Sequence, residues 1–167
     1  MSTSPEPVPR ADRPHMPGYG TLPPDQGAGL LPWSWAQERI AAARNLWVAT
    51  LWPDGRPHLS AVWGTWSGGG VLFSCGPESR KARNLAADPR ASVSTEDAGD
   101  PVVVEGVARE LTDGAELAAA VAALNRKYPG SYQVPAGRPS GFWSVRPARA
   151  YGLRHDDFAG SPTRWTF

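Results

Sequence analysis

Two short turns, Pro53-Asp54-Gly55 and Ser67-Gly68-Gly69-Gly70, separate three extended runs, and nothing else in the chain constrains the fold as strongly. Connections this short cannot cross over a sheet, so consecutive runs must pair antiparallel. The first run, Leu46 to Trp52, is apolar on both faces, as expected for a strand buried from two sides. From Pro57 to Trp66, Leu59, Ala61 and Trp63 alternate against His58, Ser60 and Val62. The third run is Val71 to Cys75. The result is a meander, not a strand–helix–strand unit.

The third run leads into the most suggestive stretch. Gly76-Pro77 breaks the strand, and Ser79 stands where a helix N-cap belongs, followed by Arg80, Lys81, Arg83 and Asn84. Free N–H groups at a helix start attract anions, and adjacent cations add to that attraction. Cations have the wrong sign for the helix dipole there, so their presence calls for an explanation. Two readings stand: a solvated basic helix face, or an anion-binding site.

The rest of the chain supplies the frame. Residues 1–31 are dense in Pro, Gly and charge, which predicts a flexible N-terminal tail, with an ordered domain over 32–167. Ser34 and Gln37 have capping-box spacing for a helix running to Arg44. Asp88-Pro89 stops the second helix, and Ala91 to Thr95 is β-compatible. Val102 to Ala108 is the strongest strand signal, with Gly106 marking a bulge. Leu117, Val121, Leu124 and Tyr128 share one face of a third helix over 113–128. A last extended region over 141–155, broken by Pro147, follows, and the chain ends Thr163-Arg164-Trp165-Thr166-Phe167. The sum is a mainly β fold with peripheral helices: a six-stranded antiparallel barrel.

Composition removes several function classes. A net charge of +1 gives no reason to expect nucleic acid or an anionic membrane as partner. The single cysteine excludes an intrachain disulfide and fits a reducing, cytoplasmic setting. No apolar run is long enough to span a bilayer. There is no phosphate loop, no G-x-S-x-G elbow and no H-E-x-x-H, and the 3 histidines are scattered, so no metal site is expected and no catalytic side chain is assigned. Cys75 has two readings: a thiol activated by the cationic helix start, or a small apolar residue at a strand end. What remains is anion binding beside a sheet unusually rich in Trp, which suits a cofactor with an aromatic ring and a phosphate.

The ordered set Pro53-Asp54-Gly55-Arg56-Pro57, Val62-Trp63, Leu72-Phe73-Ser74, Ser79-Arg80-Lys81-Ala82-Arg83-Asn84-Leu85, Asp88-Pro89-Arg90, Val145-Arg146-Pro147 and Thr163-Arg164-Trp165 resembles the pyridoxamine 5'-phosphate oxidase-like superfamily. Within it, the chain is most similar to the flavin/deazaflavin oxidoreductases. The resemblance implies a six-stranded Greek-key split β-barrel that dimerises, with cofactor sites at the interface. It implies that His58, Leu59, Ser60, Ala61, Val62 and Trp63 run along the cofactor ring. Ser74 and Cys75 then lie by the ribityl chain and phosphate. Arg80 and Lys81 hold the phosphate beside Ser79, and Arg164 and Trp165 close over the ring or substrate. Pro101 stands where the vitamin B6 oxidases carry a glutamine, so that activity is not implied. Coenzyme F420 is favoured, with Arg56, Arg83 and Arg90 available to its acidic tail; FMN is the alternative. The expected activity is hydride transfer to or from a small electron-poor substrate, whose identity the sequence leaves open. The rival is a protein of the same fold that binds a flavin, deazaflavin or haem without turnover.

Overall fold

The structure, a computed structural model, describes residues 8–137 and 139–167. Strands β1 (Arg10–Asp12), β2 (Leu46–Leu51), β3 (Pro57–Val62), β4 (Gly64–Ser67), β5 (Gly70–Ser74), β6 (Arg90–Thr95), β7 (Val102–Glu110), β8 (Phe142–Gly152) and β9 (Thr163–Thr166) form one antiparallel sheet. Helices α1 (Trp33–Ala42), α2 (Arg80–Ala87) and α3 (Gly114–Lys127) flank it. The hydrogen-bonded order is β1-β9-β8-β7-β6-β2-β3, with β5 joining β8 and β4 joining β5.

This is the expected split barrel, with nine strands in place of six. One extra strand arises because the run from Pro57 to Trp66 is bent: β3 pairs with β2, whereas β4, beyond Trp63, pairs with β5. The two ends of the sheet are thus joined by chain continuity and not by a ladder. The other two extra strands, β1 and β9, are short additions beside β8.

Residues 8–31 depart from the expected flexible tail. β1 pairs with β9, Leu31 is buried, and the Arg13 guanidinium donates to the carbonyls of Pro162, Pro23 and Gly160. Asp157 accepts from the N–H groups of Ala28 and Gly160. Composition misleads here because this segment is held by main-chain and side-chain hydrogen bonds, not by an apolar face of its own.

Helix α1 begins at Trp33 with Pro32 at the N-cap position, which offers no side-chain acceptor. Ser34 already lies inside the first turn, so the predicted capping box does not form there. α2 is capped as expected, the Ser79 hydroxyl accepting from Ala82 N–H at 3.3 Å. Pro147 does not break β8, which is continuous from Phe142 to Gly152. It pairs with Gly106, where the β7–β8 register shifts, so its missing N–H falls where the ladder is already interrupted. A Cβ at Gly106 would stand 1.9 Å from the Arg146 carbonyl oxygen, which explains the glycine.

Two apolar clusters follow from this layout. The barrel interior and α1 share one, centred on Leu46, Val48, Phe73, Val104, Val145 and Trp165. Helix α3 packs against Leu72, Leu111 and Phe142 in a second, separate cluster. No helix among the described residues is long and apolar enough to cross a membrane.

Candidate functional site

A cleft of about 390 Å³ opens where β3, β5 and α2 converge. Six of the sequence-predicted residues line it: Ala61, Val62 and Trp63 from the end of β3, Ser74 and Cys75 from the end of β5, and Lys81 from the first turn of α2. Asn45, Gly76 and Tyr132 complete the lining. The convergence is dictated by register. Val62 pairs with Leu46 and Gly64 with Phe73, so the bend at Trp63 lies beside the end of β5, from which Gly76-Pro77 sends the chain into α2.

One wall is aromatic. Trp63, half exposed, stacks on Tyr128 with ring centres 5.2 Å apart and planes 14° from parallel. Tyr128 meets Tyr132 edge-on, and Tyr132 meets Phe142 in the same way. Burial pushes the Tyr132 phenol above its ordinary value, against a hydrogen bond with Ser74. Its hydroxyl therefore carries its proton at neutral pH.

The opposite wall is cationic. Lys81 reaches the cleft, but Arg80 turns away and lies 4.2 Å above the ring of Trp52. The same ring carries Arg56 at 4.8 Å and meets His58 edge-on. Among the described residues, Arg80 and Lys81 have no carboxylate partner. The surrounding arginines do: Arg56 pairs with Asp54, Arg83 with Glu78 and Arg90 with Asp88. Uncompensated positive charge is thus concentrated at the start of α2.

Burial also decides the state of Cys75. Desolvation pushes its thiol up, and this outweighs the hydrogen bond from Ser79 and the charge of Lys81. Of the two readings of Cys75, the activated thiolate gives way to a neutral thiol in the cleft wall.

The remaining predicted residues lie elsewhere. Leu59 points outward and is 61% exposed. Ser60 has a buried hydroxyl oxygen with no protein partner. His58 Nδ1 lies 3.4 Å from the Thr50 hydroxyl, which accepts from Asn84 Nδ2 at 3.0 Å. Asn84 is buried and ties α2 to the barrel; its side-chain oxygen has no protein partner. Arg83 is an exposed ion-pair residue outside the cleft lining.

The C-terminal pair lies apart from this cleft. Trp165 is fully buried, edge-on to Trp33, with its indole N–H donated to the Leu31 carbonyl at 3.1 Å. Its indole occupies the space left by Gly152, where a Cβ would lie 3.1 Å from the ring. Arg164 is held in two contacts by Asp12. Neither residue lines the cleft.

A second groove, of about 410 Å³, crosses the outer face of β2, β6, β7 and β8; it contains none of the residues expected at the ring or phosphate, but Arg90, expected at an acidic cofactor tail, lines it. Exposed Trp47, Leu59 and Val107 lie on the same outward face of the sheet. Among the described residues, no group of three or more His, Cys, Asp or Glu is placed to hold a metal ion.

Comparison with known proteins extends this picture. The family model described as pyridoxamine 5'-phosphate oxidase matches residues 35–154. No curated protein matches the sequence. A conserved hypothetical protein from Mycobacterium tuberculosis is 25% identical, with a TM-score of 0.64 over 76% of this chain and 87% of that one. A heme binding protein from Mycobacterium smegmatis is 26% identical, with a TM-score of 0.55 over 78% of this chain and 62% of that one. An F420 reductase is 24% identical, with a TM-score of 0.53 over 68% of this chain and 94% of that one, a likeness of fold.

Proposed function

The chain belongs to the pyridoxamine 5'-phosphate oxidase family, and from that premise we propose that it is an oxidoreductase holding a phosphate-bearing flavin or deazaflavin in the cleft. The observation that carries the reading is the pair of uncompensated cations, Arg80 and Lys81, at a capped helix start beside an aromatic-walled cleft. Phosphate there gains charge-assisted hydrogen bonds from the cations and from the free N–H groups of the first turn.

A bound flavin or deazaflavin supplies hydride transfer at its own ring. The protein's part is placement. Lys81 and the start of α2 hold the anionic end, and Trp63 with Tyr132 walls the ring end against water. Tyr132 and Ser74 offer hydroxyls to a substrate oxygen or to the ring. Positioning supplies the rate effect, and no side chain acts as a nucleophile.

The acidic-tail argument for F420 loses support, because Arg56, Arg83 and Arg90 are each neutralised by a carboxylate of this chain. FMN and F420 therefore stand level. The acceptor is a small electron-poor organic molecule. The family resemblance implies that two copies pair, and the outward face bearing the exposed Trp47, Leu59 and Val107 suits such a contact.

Binding without turnover is the second reading, favoured by the likeness to the heme binding protein. The cleft gives haem little to ligate: no histidine lines it, and the Cys75 thiol is held protonated. Titration with FMN, F420 and haem, followed by reoxidation of the bound reduced cofactor by quinones and enones, separates the two. Tight binding with no acceleration by any acceptor sinks the enzyme reading. Failure to bind either FMN or F420 sinks the cofactor reading as well.

A further inference from the structure

The barrel changes ladder partner at Trp63: Val62 pairs toward β2 and Gly64 toward β5. Such a seam has no continuous ladder to fix it, yet Trp63 stands on it as a cleft wall. Three residues from the end of α3 reach this region. The Tyr128 hydroxyl accepts the Gly64 N–H at 3.1 Å and donates to the Arg44 carbonyl at 2.9 Å, with the Gly64 carbonyl also at 3.1 Å. Lys127 Nζ donates to the Gly64 carbonyl at 2.6 Å and to the Ile40 carbonyl, near the end of α1, at 3.1 Å. Asn125 holds both backbone groups of Tyr132, donating to its carbonyl at 2.8 Å and accepting its N–H at 3.0 Å.

Both aromatic members of the cleft lining are thus set from one place. We propose that the end of α3 is a positioning device for the ring-facing wall of the cleft: Lys127 and Tyr128 fix the seam at Gly64 and so place Trp63, while Asn125 places Tyr132. The ligand class it serves is a planar aromatic ring; the phosphate end is held independently by α2. Gly64 is itself constrained, since a Cβ there would lie 2.8 Å from both the Leu46 side chain and the Leu72 carbonyl. The seam therefore has no side chain with which to anchor itself, and the anchors come from α3. That helix packs in its own apolar cluster, separate from the barrel core, so it holds the wall from outside.

This inference rests on the cleft taking a ring-bearing cofactor, and the experiment separates the two. Tyr128→Phe keeps the stacking ring and removes only the hydroxyl; Lys127→Met removes the second anchor, and Lys127→Arg is the conservative rescue. Amide exchange at Gly64 and the fluorine resonance of Trp63 in fluorotryptophan-labelled protein report the wall with no ligand present. In Tyr128→Phe, Gly64 exchange rises and the Trp63 resonance moves. The dissociation constant of whichever of FMN or F420 binds wild type rises about tenfold, while competition by inorganic phosphate is unchanged. Lys127→Met behaves similarly and Lys127→Arg recovers. Unchanged exchange and resonance overturn the proposal, as does equal weakening of ring and phosphate binding. If wild type binds neither cofactor, the proposed function falls, and exchange and resonance alone decide whether α3 sets the wall.

Discussion

Arg164 and Asp12 face each other across β1 and β9, with Nε and one terminal nitrogen of the guanidinium each 2.8 Å from a carboxylate oxygen. The arginine of the sequence signature that suggested a cofactor contact thus staples the N-terminal strand. Asp12→Asn removes one charge and keeps the shape. It should release β1, seen as faster proteolysis or amide exchange in residues 8–12, at a global cost of about 0.5–1 kcal/mol for a partly exposed pair. The hydrogen bond from Arg164 holds the Asp12 carboxyl below its ordinary value. Its contribution is therefore present above the unfolded carboxyl pKa and is lost as pH falls through the lower folded one. Wild type and Asp12→Asn should converge in stability in acid; a constant gap down to the lowest pH would contradict the staple.

At the start of α2 the expected effects separate by ion pairing. Arg80→Ala with Lys81→Ala should weaken a phosphate-bearing cofactor by several kcal/mol, since each charged hydrogen bond contributes about 1.5–3 kcal/mol. Arg83→Ala should change affinity little, because Arg83 is paired with Glu78 outside the cleft lining. Isothermal titration of the three proteins checks this; an Arg83→Ala loss as large as that of the double variant would move the anion site along the helix.

Cys75 should react slowly. Its thiol, raised by burial, is largely protonated at neutral pH, and only the thiolate attacks alkylating agents. Alkylation by iodoacetamide should lag behind a free thiol throughout neutral pH and accelerate only in base. Cys75→Ser should retain cofactor affinity. Rapid modification at pH 7 would restore the activated-thiol reading.

The strands and helices were legible because hairpin turns, alternation and caps are local. The Pro53-Asp54-Gly55 turn, the Ser79 cap and the Gly106 bulge all appear where the sequence placed them. What required the fold was long-range. Nothing local shows that Trp63 marks a change of ladder partner, that Arg80 lies on Trp52, or that Trp165 fills the space over Gly152. Tyr132 lay beyond sequence reasoning because its loop has neither period nor motif; its place depends on Asn125, seven residues earlier.

Lys127 carries the last prediction. Burial brings its ammonium down to about 8 from an ordinary 10.5, partly opposed by the charge of Glu96. Below pH 8 the group is protonated in both folded and unfolded chains. Between pH 8 and 10.5 the unfolded chain binds more protons than the folded one, so this residue makes stability rise with pH across that window. The Tyr128 and Tyr132 phenols, raised by burial, act in the opposite sense at higher pH. Subtracting the profile of Lys127→Met from that of wild type cancels the tyrosines and leaves the lysine. The difference in urea midpoint should be flat below pH 7 and climb in favour of wild type above pH 8. A difference that stays flat to pH 10 would mean that Lys127 remains charged at the seam, held by the carbonyls of Gly64 and Ile40 strongly enough to offset its burial.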